Sequence, residues 1–241
     1  MRGWNILKKY RSGFVDMLFP RVCHICGVSL VEGEEVLCLD CLVNLPRTGI
    51  ATSGFSELHK RLASPGVPIE KAAGWFYYYR DSPYASLIRD AKYHDTPSLS
   101  VWSGKQAARE LLTTGFFDGI DLLAPVPMHP LKRLLRGYNQ SRLIADAIGK
   151  QTGIPVCDCL CVNRYHSTQT RRTVTGRITH PEGIYDVKKS TDPSTLAGRH
   201  ILLIDDVITT GSTILANIRA LLTYCPAAKV SVMSLALSRL R

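Results

Sequence analysis

The sequence predicts an α/β protein, a parallel and doubly wound sheet flanked by helices, preceded by a small element that needs a metal to fold. Three observations carry this. From residue 72 onward, short strand-like apolar runs alternate with segments of helical periodicity. One run, Ile201-Leu-Leu-Ile204, is apolar without alternation, as a strand buried on both faces requires, and a glycine-containing turn and an amphipathic helix follow it. Nearer the N-terminus, two Cys-x-x-Cys pairs stand eleven residues apart.

Composition bounds the rest. The chain has 241 residues, 45% hydrophobic and 21% charged, which excludes a disordered or fibrous polymer. No run approaches the ~18 apolar residues of a membrane span. The first twenty residues interleave Lys and Arg with apolar side chains and contain no continuous apolar core, so they are not a secretory signal, and a soluble, cytoplasmic protein is expected. Thirty Lys and Arg against twenty Asp and Glu give a net charge of +10, a surface suited to polyanions, either nucleic acid or a phosphorylated small molecule. The cations concentrate in two acid-free stretches. His129 to Ala145 carries Lys132, Arg133, Arg136 and Arg142, and Asn163 to His180 carries Arg164, Arg171, Arg172 and Arg177. Solvated faces would look the same.

Taken in order, residues 1 to about 20 read as a basic amphipathic helix with Ile6, Leu7, Tyr10 and Phe14 on one side. Cys23-His-Ile-Cys26 and Cys38-Leu-Asp-Cys41 follow. Each pair brings two thiolates together at a tight turn, which suits tetrahedral Zn²⁺. Gly27 supplies a permissive backbone directly after the first pair, and Gly33 is expected to turn a small hairpin between the pairs. Four cysteines leave no coordination position open, so the metal would be structural; disulfides or redox dithiols are the competing reading, disfavoured without a secretory signal. Cys157, Cys159, Cys161 and Cys225 show no such pattern and read as ordinary small residues.

The expected organisation is therefore a basic helix and four-cysteine element over 1–46, a linker over 47–71 with room for one short helix, and an α/β domain over 72–241. In that domain, strands are predicted at Trp75–Tyr79, Asp121–Val126, His200–Ile204 and Lys229–Leu237. Helices are predicted near 83–93 and 98–115, and at Asn139–Gln151 and Thr213–Tyr224. Trp75 and Tyr77 to Tyr79 read as core.

The sharpest chemistry is Asp205-Asp206-Val-Ile-Thr209-Thr210-Gly211-Ser212-Thr213. The two carboxylates come at the carboxyl end of a buried strand, where open α/β sheets bind ligands. Hydroxyls, a glycine and free N–H groups at the following helix N-terminus cradle a phosphate monoester. The acids would repel that phosphate and suit instead a ribose diol or a divalent cation. The constellation predicts a sugar phosphate as ligand. An ordinary strand–turn–helix junction needs neither two acids nor so many hydroxyls.

These residues resemble the signature of the type I phosphoribosyltransferases, and the chain is similar more closely to their ComF branch. The resemblance rests on Leu18-Phe19-Pro20 ahead of the four cysteines, on Tyr84 to His94, on Pro125-Val-Pro127-Met-His129, on Arg136-Gly137-Tyr138-Asn139-Gln140-Ser141, and on the Asp205–Thr213 loop. It implies a type I phosphoribosyltransferase-like sheet that binds phosphoribosyl pyrophosphate with Mg²⁺, and an N-terminal zinc knuckle. Asp205 and Asp206 would contact the ribose hydroxyls, and Thr209, Thr210, Gly211, Ser212 and Thr213 the 5′-phosphate. Val126, Pro127 and His129 would form the pyrophosphate loop. Lys92, Arg133, Arg136 and Asn139 are candidates for the same polyanion or its Mg²⁺ shell. Residues 163–180, with Gln169 and Arg177, would correspond to a hood over the ligand. His180 stands where the family has Asn, and Tyr185 where it has Phe. The implied reaction is displacement of pyrophosphate from ribose C1 by a nitrogen nucleophile, and nothing in the sequence identifies that acceptor. Relatives in this branch serve DNA uptake in natural competence, so a non-catalytic ligand-binding protein that engages single-stranded DNA or competence proteins is the second expectation.

Overall fold

The computed structural model describes residues 20–49, 57–93, 96–162 and 183–239. The chain divides into two compact units, Met1–Leu45 and Pro46–Arg241. The helix expected over 1–20 falls, except for Pro20, outside the described residues, as do Gln169, Arg177 and the rest of 163–182.

In the first unit, Val22 and Ser29 form an antiparallel bridge around the first cysteine pair, and the Cys23 N–H donates to the Val28 carbonyl at 2.7 Å. Gly27 takes the left-handed conformation there, with φ +75°. The expected hairpin between the pairs is not present. Instead the chain doubles back at the first knuckle itself, and Glu34 ties down the interval by accepting from the Val31 and Leu39 N–H groups at 2.9 and 2.6 Å. Helix α1, Leu39–Val43, begins at the second pair, with Cys38 as its N-cap.

The second unit is built on a parallel sheet. Its strands are β1 (Ala72–Tyr78), β2 (Leu122–Pro125), β5 (His200–Ile208) and β6 (Lys229–Ser238), in the order β1-β6-β5-β2. Two short strands, β3 (Leu160–Val162) and β4 (Tyr185–Val187), pair antiparallel beside it and flank residues 163–182. The helices are α2 (Glu57–Leu62), α3 (Ser86–Tyr93), α4 (Pro97–Leu112), α5 (Pro130–Arg136), α6 (Gln140–Thr152), α7 (Pro193–Leu196) and α8 (Ser212–Tyr224). Strand side chains alternate between faces. Ile201 and Leu203 join Val230, Val232 and the α8 residues Ile214, Ile218 and Leu221 in one core, while α6 packs against β5 and β2. Both faces of β5 are covered, which is why its first residues read as a continuous apolar run.

The one short helix expected in the linker stretch is α2, and it is more than a connector, since its Leu58 and Leu62 are fully buried in the same core as α8. Other parts of the fold depart from the sequence reading. Residues 130–136, with no helix expected, form α5. His129 caps its first turn, Pro130 takes N1, and Gly137 closes it in the left-handed conformation at φ +80°. The aromatic run after Gly74 is core only in part. Trp75 and Phe76 are buried, Tyr77 and Tyr78 are half-buried, and Tyr79 is exposed, with Arg239 over the Tyr77 ring at 5.5 Å.

Candidate functional site

Strand β2 ends four residues before β5 does, and this opens the site. Their pairing stops at Pro125 and Ile204, where the Val126 N–H donates to the Ile204 carbonyl at 2.9 Å. Beyond that point the chain turns away through Val126 to His129, while β5 continues along β6 to Ile208. Asp205 and Asp206 thus lie within the strand but along an uncovered edge. They border a cavity of about 420 Å³ whose other walls include Val126, Pro127, Met128, His129, Lys92, Lys132, Arg136, Asn139, Ser141, Tyr185 and Thr213.

Each wall is fixed by specific bonds. Asn139 caps α6 by accepting from the Ser141 N–H at 3.1 Å, and its own amide donates to the Val126 carbonyl at 3.0 Å. That places Asn139 as a clip between the turn after β2 and the start of α6. Gln140 and Tyr138 both donate to the Ala91 carbonyl, at 2.8 and 2.7 Å, which seats the end of α3 beside the cavity. The next residue, Lys92, ion-pairs with Asp206 at 2.7 Å. Ser141 donates its hydroxyl to Asp205 at 3.0 Å, and the Asp206 N–H donates to the same oxygen at 2.9 Å. Burial, and next the Asp206 charge, push the Asp205 carboxyl up to about 7 against these donors and the Lys92 ammonium.

The hydroxyl-rich loop sits at the entrance of α8. Gly211 is left-handed at φ +86°, the Thr210 and Ser212 hydroxyls lie 3.2 Å apart, and Thr213 reaches the cavity wall. Thr209, Thr210, Gly211 and Ser212 do not line the cavity themselves. The loop is braced from α2, where Arg61 donates to the Thr209 carbonyl at 3.1 Å and to the Ser238 carbonyl, and is held by Glu57 at 2.7 Å. A Cβ on Gly211 would run into Leu62 Cδ2. Gly211→Ala therefore combines a left-handed φ with a core clash, and is expected to lower stability by about 2–4 kcal/mol. A denaturant midpoint equal to that of the parent chain would contradict this placement.

Most of the sequence-predicted site residues come together. Asp205, Asp206, Lys92, Val126, Pro127, His129, Arg136, Asn139 and Thr213 border one cavity. Arg133 faces a neighbouring cavity with Arg142, Asp146, Asp158 and Lys188. Sequence reasoning gave no role to Ser141, Lys132 or Tyr185. Ser141 and Lys132 belong to stretches already singled out, and the missing signal was which helix face points at β5. Tyr185 arrives on β4, a strand too short to carry a periodicity.

In the first unit, the ligating sulfurs of Cys23, Cys26, Cys38 and Cys41 all lie within 4.8 Å of one another, with Cys26 and Cys38 at 3.7 Å. Zn–S bonds of about 2.3 Å in a tetrahedron place sulfurs about 3.8 Å apart, so the cluster fits that ion. Burial would raise the Cys23 thiol, but the N–H groups of Cys26, Cys38 and Ile25 bring it down to about 6. Cys41 is pushed up by burial and by the three other sulfurs. A cation at the centre would hold all four as thiolates. Among the described residues no other group of three or more potential ligands lies close enough together to hold a metal.

Comparison with known proteins follows the same residues. The phosphoribosyl transferase domain family matches residues 139–239, from the Asn139 clip to the end of β6. The DNA utilization protein YhgH of Escherichia coli strain K12 is 26% identical over 225 residues, covering 90% of this chain and 96% of that protein. Among solved structures, the glutamine phosphoribosylpyrophosphate amidotransferase from B. subtilis aligns with 62% of this chain at 18% identity and a TM-score of 0.39, and the chain spans 30% of that enzyme. The competence protein ComFC of Bacillus subtilis is 31% identical over 214 residues, covering 89% of this chain and 77% of that protein. With the acid pair, the hydroxyl loop and the four-cysteine cluster all in place, the chain belongs to the ComF family of proteins with a phosphoribosyltransferase-type domain.

Proposed function

We propose that the protein binds phosphoribosyl pyrophosphate with Mg²⁺ and acts as a phosphoribosyltransferase serving natural competence. The observation that carries this reading is one cavity bordered at once by two adjacent carboxylates, the N-terminal end of α8, and the cations Lys92, Lys132 and Arg136. Asp205 and Asp206 accept from the ribose 2′- and 3′-hydroxyls. The loop Thr209–Thr213 and the first N–H groups of α8 take the 5′-phosphate, where the helix dipole favours an anion by on the order of 0.3–2 kcal/mol. The turn Val126–His129, with Lys132 and Arg136, receives the diphosphate. The carboxylate oxygens of the acid pair together with diphosphate oxygens are the hard donors that Mg²⁺ requires. When bound, Mg²⁺ neutralises charge on the departing pyrophosphate. The chain's own residues orient the ribose so that a nitrogen nucleophile can displace pyrophosphate at C1.

The four-cysteine element of residues 1–46 is a structural zinc module, and residues 72–241 are the phosphoribosyltransferase-like domain. The protein is cytoplasmic in this reading. No helix among the described residues is long and apolar enough to cross a membrane. A second reading is favoured by the names of the relatives, a DNA utilization protein and a competence protein, together with the +10 charge. In it the ligand is bound without turnover, and the protein engages single-stranded DNA or uptake-machinery partners.

Calorimetric titration of phosphoribosyl pyrophosphate with Mg²⁺, followed by an assay for pyrophosphate release with a panel of nitrogen acceptors, separates the two. Acceptor-dependent release supports the enzyme; saturable binding without release supports the second reading; no binding refutes both.

The raised Asp205 adds a pH signature. Below about 7 this carboxyl is protonated in the free protein, whereas accepting from ribose hydroxyls calls for the ionised form. Affinity should therefore fall by up to about tenfold for each pH unit below 7, and level off above it. A flat profile across this range would remove Asp205 from the ligand contact.

A further inference from the structure

Two of the cysteines outside the four-cysteine cluster face each other. Cys157 and Cys159 lie where the chain passes from one strand pairing to the next. The Cys157 N–H donates to the Leu123 carbonyl at 2.8 Å, and the Cys159 carbonyl accepts from the Lys188 N–H at 2.7 Å, where the β3–β4 ladder begins. Alternate residues of an extended chain share a face, so the two thiols point one way. Asp158 between them is exposed and meets Lys188 at 2.6 Å and Arg142 at 3.9 Å. Two residues of extended strand advance about 6.6 Å, within the span of about 4.4–6.8 Å that a disulfide bridges. Cys159 is buried and its thiol donates to the sulfur of Cys157, which is half-buried. Cys161 is engaged elsewhere, its thiol donating to the Asp186 carbonyl at 3.5 Å.

The two thiols are unequal. The hydrogen bond from Cys159, and after it the Lys188 ammonium, bring the Cys157 thiol down to about 7 against burial and the Asp158 charge. The Cys159 thiol is pushed up by the same bond and by burial. A nucleophilic sulfur must be a thiolate that a reagent can reach, and of the pair Cys157 meets both conditions. We propose that Cys157 and Cys159 form a redox-active dithiol, in which Cys157 attacks a low-molecular-weight disulfide and Cys159 resolves the product. The Cys157 thiolate displaces one half of that disulfide as a thiolate and is left in a mixed disulfide with the other half. The departing thiolate takes up the proton that Cys157 had lost to water. Cys159 then gives up its proton, its sulfur attacks the Cys157 sulfur, and the second half leaves with that proton. Two electrons thus pass from the pair to the small disulfide, which departs as two thiols. The new bond closes at the root of β3, three residues before Val162, which borders both cavities. The proposal stands independently of what those cavities bind.

The test uses the full chain, reduced and supplied with zinc, and oxidised glutathione as the probe, with peptide mapping by mass spectrometry after alkylation. The peptide that carries both residues should lose the hydrogens of two thiols, with the bond between Cys157 and Cys159 and with Cys161 still alkylated. Cys159→Ala should stop the reaction at a glutathione adduct on Cys157, and Cys157→Ser should leave Cys159 reduced. A measurement on the unsubstituted chain does not depend on how the variants fold. At about pH 7, iodoacetamide should label Cys157 at least about tenfold faster than Cys161, whose thiol burial pushes up. Equal labelling rates, a pair still reduced in excess oxidised glutathione, or a bond from Cys159 to Cys161 in its place would each overturn the proposal.

Discussion

Replacing Asp205 and Asp206 together by asparagine will weaken phosphoribosyl pyrophosphate binding by at least about a hundredfold and leave the fold intact. Two charged acceptors are removed, each hydrogen bond to such a group contributing about 1.5–3 kcal/mol. The neutral amides keep the shape, and the Ser141 hydroxyl and Asp206 N–H retain an oxygen to donate to. Asp205→Asn alone carries a second expected result, a gain in stability at alkaline pH. The folded-state carboxyl is raised to about 7 against an ordinary value of 3.8. Its contribution is thus fully present below about 4 and is lost as pH rises through 7, because the unfolded chain ionises more readily. The amide has no proton to lose. The variant should therefore exceed the parent by about 2 kcal/mol at pH 8, allowing for the carboxyl's partial exposure, with the difference shrinking toward pH 4. Calorimetric titration and thermal unfolding at the two pH values check both halves. Unchanged affinity in the double variant would dismiss the acid pair as the ribose site, and an alkaline loss of stability would contradict the burial.

The second large effect is expected from Cys26→Ser. Of the four clustered cysteines Cys26 is the exposed one, so the substitution disturbs little packing beyond the metal. Metal analysis should find one zinc per chain in the parent and none in the variant. Among the described residues of the first unit, the buried apolar ones are the cysteines Cys23, Cys38 and Cys41 with Leu37 and Leu45, a core too small to hold 20–45 folded without the metal. Structural zinc contributes about 10–16 kcal/mol in small elements of this kind. Limited proteolysis should then gain cuts within residues 20–45 while the cleavage pattern of Pro46–Arg241 stays that of the parent. Zinc retained at full occupancy in the variant would show that the cluster is not its site.

The sheet and the acid pair were legible because their signals are local. A strand buried on both faces must be apolar throughout, and Ile201 to Ile204 are so in sequence before any neighbour is known. Helices α6 and α8 were legible by periodicity within a residue or two of their ends. The cysteine pairs were legible because ligand spacing is a covalent fact. What escaped has a physical reason in each case. Helix α5 buries nothing, so its leucines gave no inward stripe to read, although Pro130 and Gly137 bracket it. Helix α2 was legible as one short helix but not as part of the core, because it is one and a half turns long and its two buried leucines lie among Gly, Ser and Pro breakers. Strands β3 and β4 are three residues each.

By itself, then, the sequence determined the parallel α/β class, the metal-type cysteine set, and the acid pair and hydroxyl loop at the end of β5. Each of these is set by periodicity, by spacing, or by chemistry carried within a few consecutive positions. Only the tertiary structure decided that Ser141 and Lys92 converge on Asp205 and Asp206, that Asn139 serves as a clip for the turn after β2, and that Arg61 braces the hydroxyl loop from a segment read as linker with one short helix. These contacts join residues from 13 to 148 positions apart. Those around Asp205, Asp206 and Val126 exist because β2 stops short of β5 and leaves an edge for other elements to border, and no local signal encodes where a neighbouring strand ends.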